Sequence, residues 1–228
     1  MIEPILAILS CHAERHLHDQ IRATWLKNSV MNARFFLGAP VLEDTADEVF
    51  LDVPDDYNSV WQKVRAAVAW AFRLNYTHLF KTDTDTYVHI PRLLASGFEN
   101  HDYLGCSRDW WDLYQGVFRN KWPCYGGVGY WLSRKAMAII LTDGASEAIG
   151  RGQGEDWWVY ETLKRHGIEP HHDERYHGGI REPHGGIRGP MPENDFITCH
   201  HDNRDWLGRT PRDPKVLMEI HEKASRIT

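Results

Sequence analysis

Three things are scarce in this chain. Cysteine is one: Cys11, Cys106, Cys124 and Cys199 are the only four in 228 residues, and no two form a C-x-x-C pair. Such spacing offers neither a zinc pattern nor a disulfide framework, so reduced thiols of an intracellular protein are expected. Long apolar runs are another, since none approaches the ~20 residues of a membrane span. The opening stretch from Met1 to Ser10 is too short and too acidic for a secretory leader, so no membrane anchor and a cytoplasmic location are expected. The third is positive charge: 26 Lys and Arg stand against 32 Asp and Glu, a formal net charge of -6. That balance excludes a globally basic nucleic-acid binder and leaves only a local basic stripe for such a use.

What the chain has is apolar mass and rhythm. With 42% hydrophobic residues and ten Trp it can bury one sizeable core, and a single domain over residues 1–228 is expected. Residues 4–10 are a continuous apolar run, as in a strand buried on both faces. Leu17, Ile21 and Trp25 recur every four residues, as on one helix face. Residues 33–38 and 48–53 read as strands. Ser59-Val-Trp-Gln62 has the form of a capping box, opening a helix whose buried stripe is Val60, Val64, Val68 and Phe72. An apolar strand then leads from Tyr76 into an acidic run ending at Val88. Further strands are expected at 103–106 and within 124–133, with Ser133 capping a helix through Ile140 that Gly144 closes. A helix over 156–166 stops at Gly167, and a last one starts at Pro214 with Asp213 as its cap. This alternation predicts a layered α/β fold, a mixed central sheet flanked by helices. Residues 171–195 interrupt the rhythm with Gly, Pro and His and a near repeat, His177 to Pro183 and His184 to Pro190, which fits either a mobile lid or acceptor loop or a flexible surface insertion.

Three constellations carry chemistry. Asp83 and Asp85 stand two residues apart at the end of the apolar strand, with Lys81 just before them. In extended chain, side chains i and i+2 point the same way, so both carboxylates are expected to face one spot at the carboxyl edge of the sheet. A hard divalent cation that shares its coordination with phosphate oxygens suits such a spot. Glu155 and Asp156 follow the Gly-rich stretch Gly150–Gly154 at a helix start, where the dipole favours ionised carboxylates. The same pair also fits an ordinary helix start, but an ionised carboxylate in a cleft can take a proton from a hydroxyl. Ile197-Thr-Cys-His-His201 is a short apolar strand ending in two imidazoles, and neutral imidazole is a common metal ligand. A metal-dependent nuclease would want more carboxylates close together for two ions. A non-catalytic carbohydrate-binding protein would account for the Trp content but has no need of the two acidic pairs.

Five stretches, in order along the chain, resemble glycosyltransferase family 31, the inverting β-1,3-galactosyltransferase, N-acetylglucosaminyltransferase and Fringe relatives. They are Ile21-Arg-Ala-Thr-Trp25, Phe35-Phe-Leu-Gly38, the run from Phe80 to Val88, the run from Trp122 to Ser133, and Glu155-Asp156-Trp157. The resemblance implies a GT-A-type fold, a nucleotide-sugar donor that is usually UDP-linked, and Mn²⁺ or Mg²⁺ as cofactor. Carried over by position, it implies that Asp85 and His200 bind the metal and that Asp83 sits against the donor's ribose or sugar. It places Arg22, Trp25 and Lys81 on the donor side, and Trp122, Tyr125, Gly126, Gly127 and Gly129 along the sugar and acceptor cleft. Asp156 is the implied general base, with Glu155 as the alternative. The chain departs from the family at Thr84, where the triple acid has its central Asp, at His18, where many members have Arg, and near Tyr160, where members carry Gly. Without an anchor, a bacterial or viral enzyme is expected. A glycan acceptor ranks first, and hydroxymethylated bases of viral DNA rank second. Arg181, Arg188, Arg204, Arg209, Arg212 and Lys215 would supply the local basic patch, and Trp110, Trp111 and Trp206 the stacking surfaces, that DNA needs.

Overall fold

The first apolar run becomes β1 (Pro4–Leu9), with every residue after Pro4 buried. It is buried because it lies inside the sheet: β2 (Asn32–Leu37) runs parallel to it on one side and β4 (His78–Asp83) on the other, beyond α1 (His18–Ala23), β3 (Glu48–Phe50) and α2 (Val60–Arg73) in the chain. There follow β5 (Thr86–Val88), α3 (Ile90–Leu94), β6 (Tyr103–Gly105), β7 (Tyr130–Ser133), α4 (Arg134–Thr142) and α5 (Glu155–Lys164). Two-residue β8 (His171–His172) and β9 (Tyr176–His177), β10 (Thr198–His200) and α6 (Lys215–Ser225) complete the order. This computed structural model describes residues 3–40, 45–107, 122–143, 154–177, 196–200 and 215–225.

Seven strands form one sheet in the order β3-β2-β1-β4-β7-β6-β8, and β5-β10-β9 form a second. The block from β3 to β4 is parallel, while β7 runs antiparallel to both β4 and β6. The mixed α/β sheet flanked by helices is therefore present as expected. Successive residues of β1 serve opposite faces, as a period of two requires. Leu6 and Ile8 join Phe35, Phe80 and Trp131 on one face, with Ile21 of α1 and Leu217 of α6. Ile5 and Ala7 join Phe36 and Leu79 on the other, under Val64 and Val68 of α2, Met137 of α4 and Trp158 of α5. Each such aliphatic side chain contributes about 1.5–3 kcal/mol on full burial. Among the described residues, no helix is long and apolar enough to cross a membrane.

Several expectations are corrected. The capping box does not form: the Ser59 side chain caps no N–H of α2, and a 3-10 turn at Tyr57–Ser59 precedes the helix, capped by Asp56, which accepts the Ser59 N–H at 3.0 Å. The buried face of α2 is Trp61, Val64, Ala67, Val68 and Ala71, with Val60 and Phe72 only half-buried. A strict four-residue spacing drifts by about 40° per step on a 3.6-residue helix, so only the middle of the expected stripe stays on the face. The acidic strand stops at Asp83 and turns at Thr84 and Asp85 before β5 begins in the other sheet. Residues 171–177 carry β8 and β9, so the irregular segment expected from 171 does not start there. Ser133 does cap α4, accepting the Ala136 N–H at 3.2 Å, a bond worth ~1 kcal/mol. Gly144, the Asp213-Pro214 start, the near repeat from 178 onward, Arg204, Arg209, Arg212, Trp110, Trp111 and Trp206 lie outside the described residues.

Candidate functional site

In open α/β sheets, ligands collect beyond the carboxyl ends of strands where the strand order reverses. Here that place lies between β1 and β4: the chain proceeds from β1 outward to β2 and β3, then returns to the other side of β1. Leu9 and Asp83 are partners in register at the carboxyl end of this pair. The Thr84 hydroxyl donates to Glu14 of the 3-10 turn that follows β1, joining the two rims of the crevice.

Asp83 and Asp85 do not face one spot, because the strand ends between them. The period of two operates one step earlier, on Lys81 and Asp83, whose Nζ and Oδ1 lie 2.9 Å apart. Asp83 keeps 32% of its side chain exposed at the edge, whereas Asp85 is turned inward at 1%. Its partner is across the second sheet. β10 pairs antiparallel with β5, setting His200 opposite Thr86, and His200 Nδ1 comes to 3.4 Å from Asp85 Oδ1. The Thr86 hydroxyl donates to the Gly127 carbonyl at 2.6 Å and lies 3.1 Å from His200 Nδ1. The imidazole lies so near the Gly127 backbone that a Cβ there would stand 3.0 Å from its Cε1.

One carboxylate and one imidazole at this separation match the donor set of a divalent cation that completes its shell with ligand oxygens and water. Among the described residues, no group of three or more His, Cys, Asp or Glu converges for a metal. Asp85 and His200 are the described residues that could hold such a cation.

The second half of the site is built on a buried ammonium. Lys81 is 1% exposed, and its Nζ meets the Gly126 carbonyl at 2.9 Å, Glu155 Oε1 at 2.5 Å and Asp83 Oδ1 at 2.9 Å. Three acceptors use its three protons. Lys81 is thus held by three protein acceptors beside the expected donor-side carboxylate Asp83. Burial pulls this ammonium down, but Asp83 and Glu155 outweigh it and hold it protonated above its ordinary value. The other Glu155 oxygen accepts from the Tyr130 hydroxyl at 2.7 Å. Burial raises the Glu155 carboxyl, with Lys81 opposing and Asp156 adding. Burial also raises Asp156, against the Trp157 N–H, the Lys81 charge and the Gly126 N–H. Gly126 is held on both sides, and a Cβ on it would fall 1.8 Å from Glu155 Oε1. Gly129 has φ +103, and a Cβ there would stand 2.5 Å from Phe80 Cζ.

The structure therefore brings together Lys81, Asp83, Gly126, Glu155 and Asp156 on one side, and Asp85, Gly127 and His200 on the other. Arg22 and Trp25 join neither group. Arg22 bonds Asp47 at 2.8 and 3.0 Å, Asp19 at 2.7 Å and Glu48 at 3.4 Å. Trp25 is buried in the core face that holds Phe35 and Met31. Trp122 packs edge-on against Trp157 at 5.3 Å, beside Asp156, and the Tyr125 N–H donates to the Cys106 carbonyl at 3.0 Å. Glu14, Thr86, Tyr130 and Trp157 were not foreseen as site residues. Tyr130 ends the run Gly126-Gly-Val-Gly-Tyr130, and Trp157 directly follows the acidic pair, so position in a motif was a usable signal for both. Nothing in the sequence marks Glu14.

No family model matches the chain, and no curated protein matches it. Among solved structures, it is similar to a candidate nucleotide-diphospho-sugar transferase from Desulfovibrio desulfuricans G20, at 12% identity over 76% of this chain and 80% of that one, with a TM-score of 0.44. It is also similar to A197 from STIV, at 17% identity over 72% of this chain and 78% of that one, with a TM-score of 0.43.

Proposed function

We propose that this protein is an inverting, metal-dependent glycosyltransferase that moves a sugar from a UDP-linked donor to a glycan hydroxyl. One observation carries the reading: a carboxylate–imidazole dyad and an acidic helix start meet at opposite ends of the Gly126-Gly127 backbone, on the β7 side of β4. A cation site and a proton acceptor set side by side are what displacement of a diphosphate by a hydroxyl needs. The ordered resemblance to family 31 agrees with it. Asp85 and His200 would hold the ion, which when bound supplies Lewis-acid charge to the departing diphosphate.

Asp156 is the base. Both Glu155 oxygens are engaged, by Lys81 and Tyr130, so Glu155 cannot open to a substrate proton without breaking a buried ion pair. Burial raises the Asp156 carboxyl, which strengthens it as a proton acceptor. The acceptor oxygen forms its bond to the anomeric carbon as the carbon–oxygen bond to the diphosphate breaks on the opposite face. The hydroxyl proton passes to Asp156, and the anomeric configuration inverts. Trp122 packs edge-on against Trp157, the residue that follows Asp156, and the pair would give a sugar ring an apolar wall to rest on.

Release of nucleoside diphosphate from UDP-, GDP- and TDP-sugars, with Mn²⁺ and without, is the test. UDP release that needs both the ion and Asp156 supports the reading. Failure of every donor to be cleaved or to raise the thermal midpoint rules it out.

A further inference from the structure

We propose that Lys81 is a positioning residue of this site, tying Asp83, the Gly126 carbonyl and Glu155 into one buried knot that sets where Asp156 stands. The inference rests on the transferase reading and adds a residue that neither holds the ion nor takes the proton.

The knot joins three separate elements. Asp83 ends β4, Gly126 belongs to the segment before β7, and Glu155 is the first residue of α5. Glu155 lies 74 residues from Lys81 along the chain, so only the folded sheet brings them together. The N-cap of α5 is Gly154, which has no side chain to cap it. The first-turn Trp157 N–H is taken by Asp156 itself, and the bonds of Glu155 to Lys81 and Tyr130 tie this helix start to the sheet. Consecutive helical side chains diverge by about 100°, so pinning Glu155 fixes the direction in which Asp156 leaves the helix. A second path runs through Gly126, whose carbonyl accepts from Lys81 and whose N–H donates to Asp156. Asp156 is thus referenced to Lys81 through the helix and through the Gly126 peptide.

Charge leads to the same residue. Among the described residues, the titratable groups that act on Asp156 include Glu155 on its own helix, Lys81 from β4, Tyr130 from β7 and Cys124 from the segment before β7. Lys81 is the cation of this group. It also bridges the donor-side carboxylate Asp83 to the acceptor-side pair, so the spacing between the two halves of the reaction is set by one ammonium.

Lys81→Met alone would strand a buried Glu155, and removing one partner of such a pair is strongly destabilising. The test therefore uses Lys81→Met with Glu155→Gln, which removes both charges and keeps the volumes. Tyr130→Phe is the second variant, freeing one Glu155 oxygen and retaining the ring in the core. Thermal unfolding, donor KM and kcat are measured for each with UDP-sugar and Mn²⁺. The expected result is cooperative unfolding, donor KM unchanged, and kcat lowered about a hundredfold in the double variant, the scale of a ~1 Å misplacement. Tyr130→Phe is expected to lower kcat severalfold, again with KM unchanged, and it decides the matter if the double variant does not fold. A purely structural knot would change the unfolding temperature and leave kcat per folded molecule alone, and that result overturns the inference while the parent remains active. A parent that cleaves no donor overturns the transferase reading, and this inference with it.

Discussion

Two clusters of charge flank β1, and they are built from the same residue types to different ends. Toward β2 and β3, Arg15, Arg22 and Lys63 meet Asp19, Asp47, Glu48 and Asp55, three cations against four carboxylates. His18, buried and stacked on Phe35, links Ser10 to Glu48 by two contacts of 2.7 Å. Asp55 gathers the N–H groups of His12 and Gly38 and the Lys63 ammonium. These bonds close the ends of β1, β2 and β3 against one another. Toward β7, Asp83, Glu155 and Asp156 lie around one ammonium, Lys81, while Asp85 meets His200. Near-balance makes a buttress. On the β7 side burial raises the Glu155 and Asp156 carboxyls, and such perturbed groups cluster at functional sites.

The comparison breaks most sharply at Asp156. Asp156→Asn is expected to cut turnover by about 10²–10⁴-fold, the range for losing a general base, while the thermal shift given by donor and Mn²⁺ persists. Near-parental turnover would return the base to Glu155 or elsewhere. Asp85→Asn comes next. It should abolish the Mn²⁺-dependent part of donor stabilisation, about 2.7 kcal/mol at a hundredfold excess over Kd, and a chelator should have the same effect on the parent. Scanning calorimetry with and without ion reads both.

The pH dependence of stability should have opposite signs in the two clusters. Burial works to raise Glu48 and Asp55, but the bonds from Arg15 and His18 on the one, and from Lys63, His12 N–H and Gly38 N–H on the other, leave both below the ordinary range. Their stabilisation is present above the ordinary carboxylate values of about 4 and is lost as pH falls through their folded values. Glu155 and Asp156 are raised. In the folded state they hold protons that the unfolded chain has released, so stability is lost as pH rises from about 4 through their folded values. Urea midpoints between pH 3 and 7 should therefore show a shallower alkaline-side decline in Asp156→Asn than in the parent. A decline of the same slope would separate Asp156 from the buried cluster. The smallest effect is expected at Arg22→Ala: a loss of roughly 1 kcal/mol, the scale of a surface ion pair, with donor KM unchanged. A tenfold rise in donor KM would move Arg22 back to the donor side and show that the buttress also binds nucleotide.

Sequence reading reached unevenly into these clusters. Ser133 was legible as a cap because its partner, Ala136, is three residues away. The opening of α2 misled, because Asp56 lies just upstream of a sequence that also fits a capping box. Asp83 and Asp85 were legible as important and illegible as geometry: their spacing matches a strand, and only the departure of β5 into a second sheet separates their directions. Lys81 carried no local sign of its role, since Glu155 and Gly126 reach it from distant parts of the chain.

The amino-acid order alone determined the two-faced apolar strand, most helix and strand positions and the identity of the acidic pairs, because period, capping and turn chemistry act between neighbours a few residues apart. Which acid meets Lys81 and which meets His200 was decided by the pairing of β4 with β7 and of β5 with β10. Bonds of 2.5–3.4 Å between residues dozens of positions apart exist only once strand register has set those positions side by side.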